Sequence, residues 1–353
     1  MKSFKFYQHL FVGLFLVAVL SCTPDPVETP LGAYERGVLI INEGAFGTND
    51  GEVYHYDREA DAVTSNIFER VNARPFAGLV QQLAHYDPYF YLVANTGKVE
   101  VVNATDFVSV GAVNSDALVI PRALAVAGQK LFISDYGPYD DQWNNPNSFV
   151  AVVARREGGE VYKTIPVPSQ PEGLIVVESR LLVACASGGE LVVIDTQTEE
   201  VVSSIPVNQG SPYSFFNFNG QIYLYARNAS HVYFHLLNPA NFSITDTKEI
   251  PLANSIYNGN FALGENGTIY IIQTGGTTDR IVAVSLLTGQ ILNENLFQGP
   301  NFYGVGYDSA QKNLYIGDNA GWQSNGKVLV VNDSGILQHT LEVGKGPSGF
   351  LFR

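Results

Sequence analysis

Residues 171–206 read PEGLIVVESRLLVACASGGELVVIDTQTEEVVSSIP. Four short apolar runs lie in this stretch, at 173–177, 180–184, 190–195 and 200–206. Val, Ile and Leu dominate them, with period-two alternation, and Glu178-Ser179, Gly188-Gly189 and Thr196-Gln197-Thr198 stand between them. Short β-branched runs bounded by turn formers predict strands, so the stretch reads as a four-stranded antiparallel sheet.

The unit repeats. It opens on a triplet in which a Pro or an aromatic is followed by any residue and then by a very small one. The triplets are Phe76-Ala77-Gly78, Pro121-Arg122-Ala123, Pro171-Glu172-Gly173, Pro212-Tyr213-Ser214, Tyr257-Asn258-Gly259, Phe302-Tyr303-Gly304 and Pro347-Ser348-Gly349. Their small residues are 45, 50, 41, 45, 45 and 45 apart. A second register agrees: alternating strands open at Val53, Val99, Val150, Leu191, Val232, Ile281 and Val328, and four of them end on a turn-forming Asp57, Asn103, Asp195 or Asn332. Four strands in each unit of about 40–50 residues make the blade of a β-propeller. A β-solenoid repeat is shorter, and a sandwich domain needs roughly 100 residues.

Closure is legible too. The first unit holds three strands, at 38–42, 52–57 and 63–69, and its missing innermost strand is at the far end of the chain, at 349–352. The expected fold is all-β, a seven-bladed propeller of four-stranded blades closed by the C-terminal strand joining the first blade, which pairs edges that would otherwise template aggregation. The small third residue of each triplet is expected to relieve crowding where seven inner strands meet at the axis. No segment after residue 36 reads as an amphipathic helix.

Residues 1–21 read as a signal peptide, with Lys2 and Lys5 before an apolar core at 10–20 that is too short to span a bilayer comfortably. Val19-Leu20-Ser21-Cys22 resembles a bacterial lipoprotein signal with Cys22 as the acylated residue; an ordinary secretory signal is the alternative. Residues 22–36 then form a tether containing Pro24, Pro26 and Pro30, and 37–353 form the propeller. Loss of Lys2 and Lys5 leaves 18 of the 20 basic residues against 34 acidic ones, net −16, a balance that excludes a nucleic-acid partner. Cys185, the one thiol after Cys22, sits in an apolar run and reads as buried and inert.

The two faces of such a ring differ. Turns on one face are tight. On the other, the loops at 43–50, 134–147, 273–279 and 317–325 are long and hold Phe46, Tyr136, Tyr139, Trp143 and Trp322. The variable middle column of the triplets (Ala77, Arg122, Glu172, Tyr213, Asn258, Tyr303 and Ser348) is expected inside this ring of loops. Aromatic loops on a rigid scaffold make a binding surface. The candidate ligand contacts are Arg122, Tyr136, Tyr139, Trp143, Glu172, Tyr213, Arg227, Tyr257, Tyr303 and Trp322, with Arg122 and Glu172 also able simply to pair with one another.

Catalytic patterns are weak. His231 and His235 are four residues apart, but on a strand that span is roughly 13 Å, too far to share an ion. His55, His85 and His339 are scattered, no G-x-S-x-G occurs, and Asp140-Asp141 or Asp318-Asn319 do not match an EF-hand spacing. No cofactor, no metal and no catalytic residue is expected.

The run Val38-Leu39-Ile40-Ile41-Asn42-Glu43-Gly44-Ala45-Phe46-Gly47 resembles the first blade of a group of Bacteroidetes lipoproteins related to the YncE-like propellers, and Leu191–Thr198 has the YncE-like style. The BtuG-type members of that group bind cobalamin at the cell surface. The resemblance implies a lipid-anchored outer-membrane protein that faces the cell exterior, captures cobalamin or another corrinoid and passes it to a TonB-dependent transporter. Its membrane contact would be through the anchor alone. The alternatives are a surface glycan-binding or protein-scaffolding propeller and, further off, a propeller lactonase or lyase, which would hold a metal at the channel mouth.

Overall fold

Seven inter-blade cores, one at each junction of a ring, hold this chain together. They follow from the period-two patterning. On the strand Arg180–Cys185, Leu181, Val183 and Cys185 enter the core shared with the preceding blade, and Leu182 and Ala184 enter the core shared with the next. A central strand is buried on both sides in this way, so its sequence reads as an unbroken apolar run. Burial pushes the Cys185 thiol well up, with Glu190 adding to it, and keeps it a neutral filler.

The computed structural model describes residues 31–255 and 260–353, in which 28 strands form seven four-stranded antiparallel sheets. In blades 2 to 7 the strands run in chain order from axis to rim. Blade 4, for example, is Pro171–Val177, Arg180–Cys185, Glu190–Asp195 and Glu200–Pro206. Blade 1 is the expected exception. The last strand, Pro347–Phe352, is innermost and pairs with Val38–Asn42, followed by Glu52–Asp57 and Ala62–Thr64. Cys22 and the rest of the leader and tether up to Pro30, and also Tyr257, Asn258 and Gly259, lie outside the described residues.

Crowding by the next blade is direct at two of the triplets, whereas a Cβ on Gly349 would meet the Ile41 side chain of its own blade at 3.0 Å. A Cβ on Gly173 would lie 2.4 Å from the Tyr213 carbonyl oxygen, and one on Gly304 would lie 2.6 Å from that of Pro347. In both cases the obstacle is the backbone of the next blade's triplet.

Blade 1 departs from expectation at its rim. Its outer strand stops at Thr64, and Ile67–Asn72 form a short helix that buries Ile67 and Phe68. Glu52, itself buried, is the reason. Its carboxylate accepts the backbone N–H groups of Phe68 and Glu69 at 3.2 Å each and that of Val53 at 2.8 Å, so it satisfies the first donors of the helix. Burial outweighs these bonds and pushes the Glu52 carboxyl up from 4.5 to about 7. The native state therefore holds this proton more tightly than the unfolded chain. Stability should be greatest below pH 4.5 from this group and should fall as pH rises from 4.5 to about 7, by about 3 kcal/mol. Denaturant titrations at pH 5 and pH 8 check this: Glu52→Gln should flatten the slope, and an unchanged slope would remove Glu52 as its source.

The ring closure is locked on the opposite face from the aromatic loops. Arg58 Nη2 meets the Asp308 carboxylate at 2.7 Å, with the two side chains 17% and 2% exposed, and Arg58 Nη1 donates to the Arg353 carbonyl at 3.1 Å. This pair joins the loop after Glu52–Asp57 in blade 1 to the inner strand Phe302–Asp308 of blade 7. Arg58→Met leaves a buried carboxylate unpaired and should cost about 3 kcal/mol in chemical denaturation. A change below about 1 kcal/mol, the median for exposed pairs, would mean the pair is solvated in solution.

Candidate ligand-binding site

Among the described residues, six of the seven inner strands start with a β-bulge, and the bulge makes the site. Opposite Lys130–Asp135, Pro121 faces Asp135 and Ala123 faces Ser134, so Arg122 has no partner in the ladder. Glu172, Tyr213, Tyr303 and Ser348 are skipped in the same way. The variable column of the triplets is thus the bulge column. A bulge re-aims one side chain without disturbing the strand that follows, and here the column turns onto the channel.

Blade 2 corrects one expectation. Val80 faces Ala94 and Gln82 faces Val93, so the bulged residue is Gln81. Phe76-Ala77-Gly78 lies before the strand, with Ala77 at φ 56°. Ala77 therefore does not belong to the column. In blade 6, Phe261 faces Ile271 as Leu124 faces Ile133, which puts Asn260 at the position of Ala123.

Two chambers lie along the axis on the aromatic face. The outer one, the mouth, has a volume of ≈ 730 Å³ and is bounded by Gln170, Asn301, Asn319 and Trp322 among others. The inner one, the shaft, is ≈ 470 Å³, with Leu174, Phe215, Phe261 and Phe350 below the bulge column. Arg122, Glu172, Tyr213 and Tyr303 line both and form a diaphragm between them.

The diaphragm is knitted together. Arg122 Nε donates to Glu172 Oε2 at 3.1 Å, and its Nη1 donates to Gln81 Oε1. Gln81 Nε2 donates to Glu43 Oε1 at 2.8 Å, Tyr303 donates to Glu43 Oε2, and Tyr136 donates to Glu172 Oε1. The Arg122 guanidinium also lies 4.9 Å from the Tyr136 ring centroid. Burial works against the Arg122 charge, but Glu172, Tyr136 and Glu43 outweigh it and raise its pKa. Burial pushes the Tyr136 hydroxyl well up, with Arg122 opposing and Glu172 adding, so it stays a donor at neutral pH.

The other candidates are spread more widely. Trp322 is 42% exposed and packs edge-on against Tyr303 at 4.9 Å. Tyr139 and Trp143 form a pair at 5.6 Å on the same face, away from the two chambers; Trp143 is 78% exposed. Asp140 holds that loop by accepting from the backbone N–H groups of Gln142 and Asn144 at 2.9 and 2.8 Å. Arg227 is buried, its guanidinium 5.7 Å from the Tyr213 ring centroid. Tyr257 lies outside the described residues. Glu43, Gln81, Gln170, Asn301 and Asn319 are site residues that the triplets did not reveal. Glu43 follows the strand Val38–Asn42, within the quoted Asn-Glu-Gly run. Among the described residues, no group of three or more His, Cys, Asp or Glu side chains is placed to hold a metal ion.

Residues 36–334 match the family described as a domain of unknown function, DUF5074. The chain belongs to the DUF5074 family. No curated protein matches it in sequence. Among solved structures, this DUF5074 chain is similar to a quinonprotein alcohol dehydrogenase-like protein from Bacteroides thetaiotaomicron (12% identity, TM-score 0.67, covering 90% of this chain and 78% of that one). It is also similar to a functionally unknown protein from Desulfotomaculum acetoxidans (8% identity, TM-score 0.62, 90% and 98%). A third is BamB from Moraxella catarrhalis (11% identity, TM-score 0.53, 91% and 87%). At these identities the likeness is one of fold.

Proposed function

We propose that this DUF5074 propeller is a binding protein, not an enzyme, that captures a bulky rigid small molecule at the channel mouth, with cobalamin or another corrinoid as the first candidate. One observation carries the reading: a chamber of ≈ 730 Å³ whose wall combines amides (Gln170, Asn301, Asn319), a carboxylate–guanidinium pair and the partly exposed Trp322. A corrin is a rigid disc with peripheral amides. It would lay apolar surface on Trp322 and exchange amide hydrogen bonds with the rim, and two preformed partners lose little entropy on association. The mouth carboxylates are engaged by Arg122, Tyr136 and the backbone around Asp279, which supports binding over catalysis.

The resemblance to BtuG-type lipoproteins supports the remaining parts of the proposal: anchorage through acylated Cys22, an outer-membrane location and transfer of the ligand to a TonB-dependent transporter. Among the described residues, no helix is long and apolar enough to cross a membrane.

Isothermal titration with cyanocobalamin tests the ligand. The expected result is a saturable one-to-one heat that Trp322→Ala weakens by about tenfold, roughly 1.4 kcal/mol. No heat and no comigration at micromolar protein would end the corrinoid reading. Glycan binding lost in Trp143→Ala but kept in Trp322→Ala would replace it with the surface-glycan alternative.

A further inference from the structure

The shaft beneath the diaphragm has a chemistry distinct from the mouth's. Its charged lining residues are Glu43 and Glu172 against Arg122, so negative charge is in excess. Phe215, Phe261 and Phe350 belong to the innermost strands, are only half-buried, and line the same space. Tyr213 and Tyr303 cover it from above. Arg227 lies over Tyr213 and is not part of the shaft wall.

Aromatic walls combined with uncompensated carboxylate charge suit one ligand class above others. A π face attracts a cation, and most of all one too weakly hydrated to prefer water, such as a quaternary ammonium. Carboxylates in a narrow, partly desolvated space reinforce that preference and repel anions. The diaphragm already displays the principle with its own group, since the Arg122 guanidinium rests on Tyr136 between Glu172 and the Gln81–Glu43 pair.

The geometry points to the shaft as a second binding site, separate from the corrinoid mouth, that takes a small organic cation with an apolar body. A ligand passing from the mouth to the shaft does so beside the Arg122–Glu172 and Tyr303–Glu43 contacts, whose residues Arg122, Glu172 and Tyr303 line both chambers. The ≈ 470 Å³ of the shaft holds a single-ring ammonium and not a corrin, so this site goes beyond the proposed function and does not depend on it.

Benzyltrimethylammonium and benzoate, which pair a similar aryl body with opposite charge, are the probes, titrated into the purified chain by calorimetry. The expected result is saturable binding of the ammonium near about 1 mM and no saturation by benzoate. Glu43→Gln should weaken the ammonium about tenfold, and Phe215→Leu should weaken it about threefold by removing a π face at nearly constant volume. If Glu43→Gln does not fold, Phe215→Leu together with the wild-type comparison of the two probes decides. Equal binding of benzoate, no binding of either probe, or ammonium binding that survives both variants and is lost in Trp322→Ala overturns the proposal. Failure of cyanocobalamin to bind would leave this test intact, and failure of the ammonium would leave the mouth reading intact.

Discussion

A chain that stops at Gly346 should yield no cooperatively folded monomer. Removal of residues 347–353 takes the inner strand from blade 1 alone, yet it strips both junctions beside that blade. Phe350 and Phe352 pack against the core shared with blade 7, and Leu351 packs against the core shared with blade 2. Loss of these three apolar side chains and of Pro347 costs about 6–8 kcal/mol by area alone. The whole stability of a domain is about 5–15 kcal/mol. The deletion also bares the ladder edge of Val38–Asn42, a strand of five buried residues, on the channel side. An edge of that kind recruits other chains, so aggregation on expression is the expected form of failure. Size-exclusion chromatography and a circular-dichroism melt measure it, and a cooperative transition within a few degrees of the full chain would refute it. A permutant supplies the control. The Arg353 N–H donates to the Gly37 carbonyl at 3.0 Å, so a short turn can join residue 353 to residue 37 and move the new ends to 346 and 347. That chain contains every contact the truncation loses and gives up Tyr34 at the blade 1–2 core, so it should fold cooperatively and melt somewhat below the parent.

The role of the last strand is legible in the amino-acid sequence, because three strands at one end and one at the other add up to a blade. The blade count and the closure follow from periodicity, which local patterning encodes directly. What periodicity could not resolve was register. Phe76-Ala77-Gly78 has the composition of an inner-strand start, but the ladder begins at Val80, and Val80-Gln81-Gln82 has neither a Pro or aromatic nor a small residue to mark it. The bulge is a backbone feature, and side-chain composition reports it only where crowding by the next blade demands a small residue, as at Gly173 and Gly304. The helix at Ile67–Asn72 escaped for a related reason: six residues are too few to show a helical period, and its cap, Glu52, comes from another strand. The Arg122–Glu172 pair was foreseeable, since the two stand in one column on adjacent blades. Glu43 and Gln81 complete the same network from a loop and a misaligned triplet, and only the folded ring brings them together.

Breaking that network at one point should be worse than removing the pair altogether. Arg122→Met leaves Glu172 facing Glu43 with no cation between them, in a space where the Arg122 and Glu172 side chains are 23% and 17% exposed. An unpaired charge in a fully buried site costs about 3–5 kcal/mol; with this much solvent the loss should be about 2 kcal/mol, or roughly 3 °C in Tm for a domain of this size. The double variant R122M/E172Q removes both charges, keeps the volume and leaves a neutral acceptor for Tyr136, so it should recover to within about 1 kcal/mol of the parent. Cyanocobalamin affinity should not recover with it. Arg122 and Glu172 line the mouth as well as the shaft, so the double variant should still bind at least about tenfold more weakly than the parent. A double-mutant cycle in denaturant, paired with titration of each variant, separates the two effects. Equal losses of stability in the single and double variants would mean that Arg122 acts through packing and not through charge. Full recovery of affinity in the double variant would mean that the pair holds the diaphragm in place and does not touch the ligand.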